Sequence, residues 1–179
     1  MSNTALDDAA PERPTLASDQ AIVTITVAVE PKEAFRLFTE EIESWWRRGP
    51  RFRHAAGDSG IICLEPRIGG RVFESFTTTA GETIIEIGQV KIWEPPSRLM
   101  FNWRAANFAS TDSTEVEVLF QAARISNGTG TRVTVVHRGW AGIRSDHPAR
   151  HGLQGAAFIR MIGLWWGDQM GTLRLRSAR

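Results

Sequence analysis

LQGAAFIRMIGLWWGDQMGTLRL, residues 153–175, reads as one long helix. At about 100° per residue, Phe158, Ile159, Ile162, Trp165, Trp166, Met170 and Leu173 gather on one side, with Gln169 the single polar side chain in their midst. A face this rich in aromatic surface has to cover something, and only the strands upstream offer enough area. Burying seven such groups contributes on the order of 10–20 kcal/mol at ~1.5–3 each, an upper bound because unfolded chains are already partly compact. Gly163, Gly167 and Gly171 flank that face. Glycine inside a helix costs about 1 kcal/mol relative to alanine, so the stripe predicts close backbone approach, either by the sheet or by a second copy of the chain. Met161, Leu164 and Leu175 lie on the far side and could extend a homodimer contact.

The strands that this helix would cover follow one another almost without interruption. Residues 22–29 alternate, with Val23, Ile25, Val27 and Val29 making one strongly apolar face. Pro31 then opens a helical segment in which Ala34, Phe35, Phe38, Ile42, Trp45 and Trp46 recur at helical spacing, as two short helices broken near Thr39. Residues 47–59, with Arg47, Arg48, Arg51 and Arg53 beside Gly49 and Pro50, read as a loop. Strands are expected over 61–65, 71–76, 83–93, 99–104, 114–122 and 131–137. The turns between them hold Gly69-Gly70, Pro95-Pro96 and Asn127-Gly128-Thr129-Gly130. Consecutive strands joined by short turns predict an antiparallel meander, and the whole is α+β with the helices on one side of the sheet.

The composition narrows the classes of function. The 179 residues suit a single domain, about 20–176, preceded by a tail over 1–19 with little to bury, read as disordered. That tail carries Asp7, Asp8, Glu12 and Asp19 against Arg13, so the overall +1 hides a modest positive excess in the remainder. The excess is too small and scattered to predict a nucleic-acid partner. A single cysteine, Cys63, excludes an internal disulfide and fits a reducing, cytoplasmic setting. No apolar run approaches the ~18 residues of a membrane span. His54, His137, His147 and His151 lack metal-ligand spacing, and no phosphate-cradling loop or nucleophile elbow is present, so neither metal nor cofactor is expected.

The order β-αα-β6-α resembles the helix-grip, START-like superfamily, also called the Bet v 1-like fold. The chain is most similar there to the subgroup named for the C-terminal domain of the Hsp90 ATPase activator. The matching stretches are 27–38 with Pro31 and Phe35, Trp45-Trp46, the run from Ile68 to Glu74, and Gly88-Gln89-Val90. They continue with the run from Trp93 to Leu99, Phe101-Asn102-Trp103, the alternating 114–120 and Gly130 to Trp140. The resemblance covers about residues 20–175. It implies a seven-stranded antiparallel sheet curled around the C-terminal helix with a cavity between, while function varies widely among members.

Strand parity independently nominates the residues of such a cavity. Alternate residues share a face, and the apolar set should meet the helix. That turns Val116, Val118 and Phe120 inward, with Val133, Val135 and His137, and with Leu99, Phe101 and Trp103. Placing Gly88, Val90 and Ile92 inside takes Glu86 with them, and placing Val72 and Phe76 inside takes Glu74. The expected binding set is therefore Trp46, Glu74, Glu86, Phe101, Trp103, Val118, Phe120, Val135, His137, Ile162, Trp166, Gln169 and Met170. Its partner would be a small apolar or amphipathic molecule. If the site also performs chemistry, as in cyclase and dehydratase relatives, Glu74, Glu86 and His137 are the candidate acids and bases. A third expectation, a module that contacts an Hsp90-type chaperone, follows from the subgroup's name alone.

Overall fold

The apolar alternation after residue 20 forms the first strand, β1 (Gln20–Val27). A computed structural model describes residues 19–55, 59–126 and 128–178. Pro31 sits in the first turn of α1 (Pro31–Thr39), where its missing N–H is not needed, and α2 (Ile42–Trp45) begins after a two-residue break. The break has a physical anchor, because the Trp45 indole N–H donates to the Leu37 and Phe38 carbonyls at the end of α1. The strands are β2 (Ile61–Leu64), β3 (Arg71–Thr78), β4 (Gly81–Glu94), β5 (Arg98–Trp103), β6 (Thr114–Ile125) and β7 (Gly128–Arg138). Two 3-10 turns, Trp140–Gly142 and Pro148–Arg150, lead into α3 (Gly155–Arg176).

All seven strands pair antiparallel in the order β1-β7-β6-β5-β4-β3-β2, giving an α+β helix-grip fold in which the curled sheet holds α3. The helix buries Phe158, Ile162, Trp166, Gln169, Met170 and Leu173 against the sheet, while Ile159 and Trp165 are partly covered. Val116, Val118, Phe120, Val133 and Val135 face it and are almost wholly buried. The end of the interior nearest α1 and α2 is filled by rings, with Phe35, Phe38, Trp45 and Phe120 in mutual contact.

Two expectations are corrected, one in the β6–β7 turn and one along the glycine stripe of α3. The β6–β7 pairing runs up to Ile125 opposite Gly128, so Thr129 and Gly130 belong to a strand rather than a turn. Asp19, at the end of the expected tail, accepts a hydrogen bond from the Ala141 N–H; the rest of that tail, residues 1–18, lies outside the described residues. A methyl group added at Gly163, Gly167 or Gly171 would meet nothing within 4 Å, so among the described residues the sheet does not make the close approach that was one of the two readings of the stripe.

Strand β4 departs from simple alternation twice. Val72 pairs with Gly88 and Phe73 with Glu86, which leaves Ile87 as an extra residue; Lys91 is a second, between the Val90–Phe101 and Ile92–Met100 pairs. Each bulge inverts the parity of the residues beyond it. Ile87 is therefore buried and Glu86 exposed, while Trp93 rather than Ile92 enters the interior and meets Phe35 edge-on at 5.0 Å. Gly88 lies in the same tight region, where a Cβ would overlap the Asn102 carbonyl oxygen.

Candidate functional site

Where the aromatic filling stops, a recess of about 510 Å³ remains between the N-terminal half of α3, the β4–β5 pair, the 50–54 loop and the 140–151 segment. Its walls are mostly apolar: Ile87, Trp103, Trp140, Met161, Ile162 and Trp165, with Phe52 and Ala105. Arg51, Arg53, His54, Asn107, His137 and His151 supply the polar atoms. A larger groove, about 810 Å³, lies at the opposite end of β1 beside Phe35, Trp93 and the Pro95-Pro96 turn. Its lining includes the charged Lys32, Glu33 and Arg36 of α1, so the more apolar recess is the better candidate.

The loop forming one wall has no secondary structure, yet side chains fix it from several directions. Arg53 is buried and donates to the carbonyls of Trp46, Arg47 and Gly60 and to the Glu43 carboxylate. The indole N–H groups of Trp46 and Trp165 donate to the Phe52 and Arg51 carbonyls, each at 3.0 Å. From α3, Gln169 Oε1 accepts the Arg47 N–H at 2.8 Å; its amide nitrogen is buried with no partner among the described residues. The opposite wall depends on Arg150, whose guanidinium donates to the carbonyls of Trp140, Ile143 and Arg144 and lies 4.7 Å from the centre of the Phe158 ring.

His137 does enter the interior, as parity predicts, but both ring nitrogens are engaged. Trp166 Nε1 donates to Nδ1 at 3.0 Å, so the ring hydrogen must be on Nε2, which lies 2.8 Å from the Thr114 hydroxyl. Burial pushes its pKa down to about 3. A neutral ring with both nitrogens engaged ties β7 to β6 and α3.

Glu74 also points inward and is fully buried. Neither Arg71 nor Lys91 meets it, since Arg71 pairs with Glu65. Its Oε2 takes the backbone N–H of His54 at 2.6 Å and lies 3.2 Å from Nδ1 of the same residue, while Oε1 takes the Ala55 N–H at 3.2 Å. Gly60 makes room for it, as a Cβ there would overlap Oε1. Of the residues nominated by parity, Trp103, His137 and Ile162 line the recess. Phe101, Val118, Phe120, Val135, Trp166, Gln169 and Met170 pack the interior behind it, and Trp46 backs the loop. Glu86 is on the outside. Parity does not nominate His54, Trp140, Trp165 or Ile87. Three of them stand in a loop, a 3-10 turn and a bulge, where periodicity carries no signal, and Trp165 counts in the sequence only toward the helix face.

Among the described residues, no group of three or more His, Cys, Asp or Glu side chains could hold a metal ion, and no helix is long and apolar enough to cross a membrane. Cys63 is half-buried, and its burial raises the thiol pKa.

A family model described as activator of Hsp90 ATPase homolog 1-like protein matches residues 28–158. Several solved structures share the fold. A Nitrosomonas europaea protein is 16% identical with a TM-score of 0.56, covering 93% of this chain and 98% of its own. An Hsp90 activator from Plasmodium falciparum has 16% identity and a TM-score of 0.56, over 88% of this chain and 94% of its own. The Aha1 dimer from Colwellia psychrerythraea has 16% identity and a TM-score of 0.52, over 87% and 92%. At such identities the likeness is one of fold. No curated protein matches the sequence.

Proposed function

The chain belongs to the activator of Hsp90 ATPase homolog 1-like family, and we propose that this member takes up a small, flat, largely apolar molecule in the recess beneath the 50–54 loop. The observation that carries this reading is the recess itself. Its volume of about 510 Å³ falls within the ~300–1,000 Å³ of small-molecule sites, and its walls are apolar rings with a few polar atoms at the margin. Trp103, Trp140 and Trp165 offer faces and edges on which an aromatic or conjugated ring can rest. The indole N–H of Trp165 is already spent on the loop, so that ring presents apolar surface. The walls are also held before any ligand arrives, by Arg53 on one side and Arg150 on the other, which lowers the ordering cost of binding.

The test uses 8-anilinonaphthalene-1-sulfonate as an aromatic probe. Saturable, one-to-one fluorescence enhancement is expected, and Ile162→Trp, which fills the recess, should abolish it without lowering the melting temperature by more than a few degrees. Equal enhancement in that variant would place the probe elsewhere and remove the reading.

A further inference from the structure

We propose that His54 is a proton-transferring residue of the recess, with Glu74 as the positioning residue that sets its tautomer. The inference rests on the recess being the ligand site. Its own observation is the carboxylate–imidazole pair at the recess wall. Glu74 is sealed from solvent, whereas the His54 side chain is 28% exposed and contributes to the lining. Oε2 of Glu74 lies 3.2 Å from Nδ1 and 2.6 Å from the backbone nitrogen of the same histidine, so one carboxylate oxygen fixes both the ring and the chain that carries it. An ionised carboxylate can only accept, so the hydrogen sits on Nδ1 and the lone pair on Nε2. No protein group meets Nε2 among the described residues. His137, the other inward histidine, has both nitrogens occupied, and exposed His151 at the mouth has no carboxylate against it.

The charged groups around His54 leave this pairing undisturbed. On its own loop, Arg53 turns to Glu43 and to main-chain carbonyls, and Arg51 pairs with Asp168 of α3 at 2.9 Å. From β3, Glu74 is the charge in contact. Neutral His54 would take a proton through Nε2 from an acidic C–H or O–H of the bound molecule. The electron pair left behind spreads into an adjoining carbonyl or aromatic system, and the imidazolium is stabilised by Glu74. A proton is then returned from Nε2 to carbon or oxygen of the same molecule, so one bond to hydrogen breaks and another forms with no co-reactant consumed; because the His54 side chain is 28% exposed, its ring hydrogen can exchange with solvent between the two transfers. The substrate class is thus a conjugated carbonyl compound or phenol able to tautomerise, flat enough for the tryptophan walls.

The probe is 2-tetralone, a bicyclic ketone with an acidic C–H between ring and carbonyl. Its exchange with deuterium oxide is followed by proton NMR, and its binding by quenching of tryptophan fluorescence. Wild type should accelerate exchange on the order of 10²-fold or more over buffer at the same pH, as positioned acid–base groups typically do. His54→Gln should return the rate to the buffer value while the quenching titration still saturates. In ¹⁵N-histidine spectra the wild-type His54 hydrogen should sit on Nδ1, and Glu74→Gln should both lower the rate at least about tenfold and shift the hydrogen toward Nε2. Should Glu74→Gln fail to fold, the wild-type spectrum and His54→Gln decide alone. Quenching without exchange, exchange that survives His54→Gln, or a wild-type hydrogen on Nε2 would overturn the proton-transfer role and leave the ligand reading standing. Absence of quenching would overturn the ligand reading and this inference with it.

Discussion

Trp166 of α3 hands its indole hydrogen to Nδ1 of His137 on β7 across 3.0 Å, and that bond decides the chemistry of the most buried histidine in the recess wall. Donation from the indole requires a lone pair on Nδ1. The interface therefore works only while the imidazole is neutral.

Stability should consequently fall with acid in a defined window. The pKa of His137 is about 3 in the folded chain, below the ~6.5 of an exposed histidine, so its contribution is complete above pH 6.5 and is lost progressively as the pH drops toward 3. Between pH 7 and 5 the loss from this group is about 2 kcal/mol. Urea titrations should show that much less pH dependence in His137→Gln than in wild type, although the variant is weaker at pH 7. A ring that titrates near 6.5 by NMR would contradict the assignment.

Arg150 predicts a local effect of a different kind. Its donors go to main-chain carbonyls of the 140–144 segment rather than to a carboxylate, so its removal strands several buried acceptors at once. Arg150→Met should cost about 2–4 kcal/mol and raise amide exchange in residues 140–151 before the rest of the sheet. Arg150→Lys should recover little of this, because an ammonium cannot reproduce the planar fork.

Gly88 is set against backbone. A Cβ there would run into the Asn102 carbonyl oxygen, which is main chain and cannot swing aside as a flexible side chain would. Gly88→Ala should therefore destabilise by about 1–3 kcal/mol, measured by denaturant unfolding, with the β4–β5 pairing the part displaced.

The two strand glutamates should behave in opposite ways. Glu86 is exposed beyond the first bulge, and Glu86→Ala should stay within about 0.5 kcal/mol of wild type. Glu74 is buried and accepts two backbone N–H groups, and Glu74→Ala should cost on the order of 2–4 kcal/mol by leaving them unpaired. Similar costs for both would mean that the parity inversion is wrong.

The path from sequence to fold is short because most of the signal is periodic. Helical spacing identifies α3 and the split between α1 and α2, and alternation identifies the inner faces of β5, β6 and β7. Strand β4 resists, because parity counts residues and a bulge adds one that no local pattern marks. Ile87 and Lys91 each shift the count, which sends Glu86 and Ile92 to the wrong face. The centre of the interior is equally hard to read, since whether Phe35, Phe38, Trp45 and Phe120 leave a gap is a question of volume in three dimensions. His54 is hidden more deeply. It stands in an irregular basic loop, and its meaning comes from a carboxylate 20 positions away that reaches it only through the pairing of β3 with β2 and β4.

The strand order carries a consequence for the order of assembly. Strands β2 to β7 each pair with a chain neighbour, but β1 pairs with β7, whose contacting residues Thr24 and Thr134 are 110 positions apart. Closing so long a loop is entropically slow, so the first strand of the sheet to be synthesised is among the last to dock. Helix α3 lies along that same strand, so its packing against this edge of the sheet waits for that step. The recess draws no lining residue from that strand, so the walls around it are drawn from segments that can assemble before the sheet's last edge is closed.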